Sequence, residues 1–176
     1  MTHVLGTARV VLDAWRDGDA EALAALGNDR ETARQLSSLP HPFTPAEAAA
    51  RIAASRASPG PAFRAPLRLA GGRLIGEGGI SPGAEPTLMV WLGAEWRGRG
   101  LGRAALSALL ARAFADPGRA AVTAECFLDN APSIALLTRA GFAPTGEAVA
   151  EGHALRPGPA RYRRFRLARS DWEAGA

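Results

Sequence analysis

An apolar strand that runs through a glycine-rich turn into an amphipathic helix limits the folds open to this chain. Thr87 to Leu92 (TLMVWL) is apolar on both faces, as a strand buried inside a sheet must be. Glu95-Trp96-Arg97-Gly98-Arg99-Gly100-Leu101-Gly102 follows. Leu101, Ala105, Leu106, Leu109, Leu110, Ala113 and Phe114 then fall on one helical stripe. A helix N-terminus presents unpaired N–H groups and the positive end of its dipole, so it attracts phosphate oxygens. Glycines let the backbone approach an anion without Cβ atoms in the way. Arg97, Arg99 and Arg103 add positive charge at the same spot. Arg97 through Gly102 therefore read as an anion cradle, most naturally for a pyrophosphate. A dinucleotide fingerprint would need glycine or alanine at 103, where Arg103 stands, and a βαβ setting that this strand lacks.

Local signals place the other elements. Ala8 to Trp15 reads as a strand, and Ala20 to Leu26 as a short helix stopped by Gly27. Thr44-Pro45-Ala46-Glu47 has capping-box spacing with proline at the first helical position. That helix runs to about Ala57, before Pro59-Gly60-Pro61. Pro66–Ala70 and Arg73–Ile80 flank Gly71-Gly72 as a β-hairpin. Ala120 to Phe127 is a strand, and Asn130 caps a helix from Ala131 to Ala140 that Gly141 ends. Phe142–Glu147 and Arg161–Leu167 read as closing strands. The stretches between Gly27 and Thr44 and between Glu147 and Arg161 read as loops without a motif. With no repeat and no linker in 176 residues, the order predicts one mixed α/β domain, residues 1–176.

The composition excludes several chemistries. All 21 basic residues are arginine, so there is no Walker A loop, Schiff base or lysine general base. A net charge of +4 is a mild bias towards anions. Cys126 is the single cysteine, which precludes an internal disulfide and a multi-cysteine zinc site, and its apolar strand marks it as core. His3, His41 and His153 lie far apart, so no metal site is expected. No apolar run approaches the ~20 residues that span a bilayer, and the start of the chain lacks a signal-peptide core. The expectation is a cytoplasmic chain with no membrane partner.

Arg97-x-x-Gly100-x-Gly102 has the R/Q-x-x-G-x-G/A form of the GNAT acyl-CoA-dependent acetyltransferase superfamily. The wider run Val90-Trp91-Leu92-Gly93-Ala94-Glu95-Trp96-Arg97-Gly98-Arg99-Gly100 resembles the "YWL-x-PE-YWG-x-G" segment of its ribosomal-protein acetyltransferase (RimJ/RimL-like) branch. Asn130-Ala131-Pro132-Ser133, then Leu136, then Gly141-Phe142 resembles that family's "N-x-x-S…GF" block. Arg9-Val10-Val11-Leu12 with Trp15 and Asp19 looks like the branch's first strand and helix. The resemblance implies a GNAT fold: α/β (α+β), one mixed, mostly antiparallel sheet of about six to seven strands, with about four helices. It implies that the sheet is splayed at its central strands by a bulge.

The resemblance also implies roles. The main chain of Arg97, Gly98, Arg99, Gly100, Leu101 and Gly102, with Arg103, would bind the pyrophosphate of acetyl-CoA. Val90, Trp91 and Leu92 would pair with the pantetheine arm through their main chain. Asn130 would touch the coenzyme, cap its helix, or both. Direct attack of an amine on a thioester needs a deprotonated amine, a donor for the carbonyl oxygen and a proton for the departing thiolate. The N–H near Leu92 would serve the carbonyl. The family's usual tyrosine for the thiolate is replaced by Leu137, which leaves Ser133 as the hydroxyl in reach. Thr87 occupies the place of a common acidic base and cannot act as one; Glu85, Glu151 and His153 are the side-chain candidates, with a water chain as the alternative.

The implied function is acetyl-CoA-dependent acetylation of a primary amine in a ternary complex, with a protein N-terminal α-amine as the first substrate. A small-molecule amine (amino acid, polyamine or antibiotic) is the alternative, and so is a catalytically silent acyl-CoA-binding protein. Arg161-Tyr162-Arg163-Arg164-Phe165-Arg166 with Arg169 offers stacking and charge for RNA, or else is an edge strand protected by its arginines. The second reading is preferred, so nucleic acid is not an expected partner, and the chain is taken as a monomer or homodimer.

Overall fold

Two half-sheets meet along a single short contact, and most of their elements begin and end on local signals. The structure, a computed structural model, describes residues 10–57, 60 and 62–175. The first half holds β1 (Val10–Leu12), α1 (Asp19–Gly27), α2 (Arg30–Gln35), α3 (Pro45–Arg56), β2 (Phe63–Leu69), β3 (Leu74–Ile80) and β4 (Leu88–Leu92). Its strands pair antiparallel in the order β1-β2-β3-β4. After a 3-10 turn at Ala94–Trp96 come α4 (Leu101–Phe114), β5 (Ala121–Phe127), α5 (Ala131–Arg139), β6 (Ala143–Ala150), β7 (Ala160–Ala168) and α6 (Arg169–Ala174). Here the strands pair antiparallel in the order β5-β7-β6.

The strongest local signals act as expected. Thr44 and Glu47 form the reciprocal capping box of α3, with the Thr44 amide donating to Glu47 Oε2 at 2.7 Å. The buried stripe of α4 is the one its periodicity predicts: Leu101, Ala105, Leu106, Leu109, Leu110, Ala113 and Phe114. Each large apolar side chain so buried contributes roughly 1.5–3 kcal/mol. Gly78 lets this helix lie on bare backbone, because a Cβ there would stand 3.0 Å from Leu109 Cδ1.

Other expectations need correction. Gly27 is the last residue of α1 rather than its stop, and the Asn28 amide closes the helix onto the Ala24 carbonyl. A second helix, α2, occupies part of the expected loop before Thr44. Asp29 caps it by accepting the Thr32 amide at 2.9 Å. The helix is too short and polar to show an apolar stripe. With α6, the described residues hold six α-helices rather than about four. β1 covers Val10–Leu12, and β6 continues to Ala150. Ala8, Arg9, Pro59 and Pro61 lie outside the described residues.

The splay is present, but no bulge produces it. β4 keeps unbroken register with β3, while the irregularities fall in β2 at Leu67/Arg68 and in β6 at Pro144/Gly146. The half-sheets join where Thr87 and Thr123 form a parallel bridge. There the Thr123 amide donates to the Pro86 carbonyl at 2.9 Å, and the two threonine hydroxyls lie 3.0 Å apart. Beyond that bridge β4 and β5 diverge.

The arginine-rich segment is not an edge strand. β7 lies between β5 and β6. Its charges are met by glutamates: Arg161 and Arg163 bind Glu147, Arg164 binds Glu125 and Arg166 binds Glu85. Cross-strand pairing across a central strand places opposite charges side by side, which sequence spacing cannot reveal.

The face of the sheet under α4 and α5 buries Leu88, Val122, Ala124, Phe165 and Leu167. The other face buries Trp91 of β4, with Met89 partly buried beside it, against α1 and α3. Glu77 of β3, fully buried, accepts from Arg51 Nε and Nη2 and, at 3.0 Å, from the Trp91 indole.

Candidate functional site

The divergence of β4 from β5 opens a cleft of about 1370 Å³. Its floor is the free edge of β4. Antiparallel pairing alternates, so residues that bond one neighbour leave the next residue's groups facing the other side. The Ser81 amide donates to the Thr87 carbonyl and the Gly93 amide to the Ile75 carbonyl, both at 3.0 Å. Thr87, Met89, Trp91 and Gly93 therefore direct their groups to β3, and Leu88, Val90 and Leu92 direct theirs to the gap. Val90 and Leu92 thus present main-chain groups to the cleft. Trp91 does not: its main chain pairs opposite Glu77 and its indole N–H is spent on the Glu77 carboxylate.

The glycine turn forms one end of the cleft. Gly98 (φ 70°) and Gly100 (φ 76°) take left-handed conformations that other residues adopt at a cost. Gly100 precedes α4 with no side chain capping it, so the first-turn N–H groups are free for an anion. Cβ positions at Gly98 and Gly100 would meet nothing within 4 Å, and at Gly102 only Leu136 at 3.6 Å. Gly98, Gly100, Gly102 and Arg103 line the cleft. Open N–H groups beside an unpaired strand edge fit a pyrophosphate that carries an extended amide arm.

Three of the expected coenzyme residues spend their side chains elsewhere. That placement leaves the main-chain role open at Arg99 and Leu101, while the Arg97 amide donates to the Ala94 carbonyl at 3.3 Å. The Arg97 side chain is already engaged: Nε donates to the Leu92 carbonyl at 3.1 Å, and Nη2 binds Asp29 at 3.1 Å and the Thr32 hydroxyl. It ties the end of β4 to the start of α2. Arg99 stands over the Trp96 ring, 5.6 Å from its centroid, outside the cleft wall. The Leu101 side chain is buried in the core. Burial opposes ionisation of Asp29, but the Thr32 hydroxyl and amide and then Arg97 hold its carboxyl below the ordinary range.

The α5 end supplies Asn130 and Ser133. Asn130 Oδ1 accepts the Ser133 amide at 3.2 Å, so Asn130 caps the helix while lining the cleft. Ser133 also lines the cleft, and its hydroxyl has no hydrogen-bond partner among the described residues. Leu137 is buried beside it and offers no hydroxyl. Cys126 lines the cleft half-buried, and burial pushes its thiol up to about 11, which makes it a poor nucleophile.

The side-chain bases are not gathered here. Glu151 is exposed and outside the cleft wall. His153 exchanges main-chain hydrogen bonds with Arg156, and its ring lies 6.4 Å from that of Phe127, also outside the wall. Glu85 is held by Arg166, which keeps its carboxyl below the ordinary range.

A charged web on the far side of the cleft went unread in the sequence. Asp129 accepts from Arg156 at 2.9 and 3.0 Å and from Arg34 of α2 at 2.7 Å. Those two arginines, Arg156 first, hold its carboxyl down to about 2. Arg34 also binds Glu31. Thus α2 is pinned to Arg97 at one end and to the β5–α5 and β6–β7 connections at the other. The Asn28-Asp29 pair, with Glu31 and Arg34 three apart, was the available sign of this helix.

A sequence profile described as the acetyltransferase (GNAT) domain matches residues 9–143. Solved structures of similar shape include spermidine N-acetyltransferase from Vibrio cholerae, in complex with CoA and spermine, at TM-score 0.78 and 17% identity over 94% of this chain and 98% of that one. RimJ of Mycobacterium smegmatis, in complex with CoA-disulfide, aligns at TM-score 0.77 and 19% identity over 92% and 82% of the two chains. Ribosomal-protein-S5-alanine acetyltransferase from Vibrio fischeri aligns at TM-score 0.74 and 21% identity over 93% of each.

Proposed function

The chain belongs to the GNAT acetyltransferase family, and from that premise we propose that it acetylates the α-amine at a protein N-terminus. It is an acetyl-CoA-dependent N-acetyltransferase. The N-terminal specificity rests on one observation: the carboxylates on the acceptor side of the cleft are already neutralised. Glu31 is held by Arg34, Asp129 by Arg34 and Arg156, and Glu125 by Arg164. A polyamine carries several ammonium groups and calls for free carboxylates to receive them. A single amine at the end of a peptide does not.

Bound acetyl-CoA supplies the activated acyl thioester. Around it the chain's groups divide the work. The N–H groups from Gly98 to Gly102 and the Arg103 guanidinium hold the pyrophosphate. The main chain of Val90 pairs with the pantetheine arm. The Leu92 N–H donates to the acyl oxygen, where a preorganised donor lowers the barrier. Ser133 Oγ hydrogen-bonds the coenzyme sulfur and relays a proton to it from water. Water also carries the amine's proton away, since Glu151 and His153 stand off the cleft and Asp129 is too acidic to take it. The setting is the cytoplasm; among the described residues no helix is long and apolar enough to cross a membrane.

The test is thiol release from acetyl-CoA with a panel of N-terminal peptides, free amino acids and spermidine. Peptides should give the highest kcat/KM. Faster turnover of spermidine than of every peptide would overturn the reading.

A further inference from the structure

Tyr162 is the chain's only tyrosine, and it stands in the cleft wall. On β7 it lies opposite Phe127 of β5 and Ala148 of β6. Side chains alternate along a strand. Phe165 and Leu167 face the core under α4 and α5, so Tyr162, Arg164 and Arg166 face the other way. That is the side of α2 and the β6–β7 connection, where the Arg156 guanidinium lies 4.0 Å from the Phe127 ring centroid. It is the acceptor side of the cleft, away from the glycine turn and α5.

The phenol is held in a defined role. Arg164 Nη2 donates to the Tyr162 hydroxyl oxygen at 2.8 Å, and Arg164 Nε is itself anchored on Glu125 at 3.2 Å. A phenol has one O–H to give and can accept as well. The hydroxyl oxygen accepts from Arg164, and no group among the described residues accepts its O–H. The neighbouring carboxylates Glu31, Glu125 and Asp129 are all bound by arginine. This wall therefore offers an unspent hydrogen-bond donor, beside carboxylates whose charge arginine already balances. Its complement is an accepting oxygen close to the reacting amine. A peptide N-terminus has one in its first peptide carbonyl, on the carbon next to the one that bears the amine. A polyamine has only methylenes and ammonium groups.

We propose that the Tyr162 hydroxyl donates to the first peptide carbonyl of the acceptor, so that the site selects amines with an adjacent carbonyl over polyamines. The proposal rests on the N-terminal reading above and names the residue that enforces it.

The experiment compares wild type with Tyr162→Phe, which keeps the ring and removes the O–H. The probes are a trialanine amide and spermidine, with acetyl-CoA saturating. KM for the peptide should rise about five- to tenfold, the usual range for losing one hydrogen bond to a neutral partner. Its kcat, the Kd for CoA, the melting temperature and kcat/KM for spermidine should not change. An unchanged peptide KM, or an equal loss with spermidine, overturns the role of Tyr162 and leaves the substrate reading standing. A wild-type enzyme that prefers spermidine to the peptide overturns both.

Discussion

Arg97 Nε donates to the main-chain carbonyl of Leu92 at 3.1 Å. The first residue of the glycine motif therefore closes the end of β4, while the same guanidinium reaches Asp29 at the cap of α2. In the proposed complex it places the turn, and the phosphates are left to backbone N–H groups and Arg103.

Arg97→Ala should lower stability by about 1–2 kcal/mol, roughly 3–6 °C in Tm, because it removes charge-assisted hydrogen bonds and frees the Leu92 carbonyl. Arg97→Lys should recover little, since a lysine cannot present the fork that meets Leu92 and Asp29 together. Thermal melts of the two variants check this; full rescue by lysine would reduce the residue to its charge.

Gly102→Asp should abolish CoA binding in a folded protein. A Cβ at 102 meets only Leu136 at an ordinary 3.6 Å, and a carboxylate in the first turn of α4 suits the helix dipole. The same carboxylate repels a pyrophosphate, and close like charges cost several kcal/mol, about a hundredfold or more in Kd. Calorimetric titration with CoA gives the answer, with circular dichroism to show the fold. Gly100→Asp is the less clean variant, because the φ of 76° adds strain.

Ser133→Ala should lower kcat by roughly ten- to a hundredfold and leave Tm and CoA affinity nearly unchanged. The helix cap is Asn130, and the serine contributes only its amide to it. Stability therefore has little reason to move. A wild-type kcat in this variant would assign the sulfur's proton to water alone.

Asp129 gives the acceptor wall a defined pH range. Its folded pKa, about 2, lies below the ordinary 3.8, so its contribution is complete above that ordinary value and is lost as pH falls through about 2. The Tm difference between wild type and Asp129→Asn should hold steady from pH 8 to 5, shrink below about pH 4 and vanish only below about pH 2. A difference undiminished at pH 2 would mean that the web does not depend on this charge.

Glu77→Gln should cost about 3 kcal/mol, because it leaves Arg51 buried without its counter-charge. Denaturant melts measure the loss. Little or no destabilisation would show that water reaches the Arg51 guanidinium.

What the chain determined by itself is what neighbours in sequence decide. The stripe of α4, the capping box at Thr44 and Glu47, the hairpin around Gly71-Gly72 and the open turn before Leu101 all rest on interactions within a few residues. Their periodicity and caps can be read without knowing what they pack against. Tertiary structure decided the rest because the partners lie far apart. Arg34 meets Asp129 across 95 positions, Arg97 meets Asp29 across 68, and Arg166 meets Glu85 across 81. No spacing rule links such pairs, and an arginine looks the same in sequence whether it faces water, a phosphate or a glutamate. The same holds for β7, whose arginines suggest an edge until its two neighbouring strands supply the opposite charges. Tyr162 shows the consequence for function: its type was legible, but only the sheet order turned its ring into the cleft beside Glu125 and Phe127.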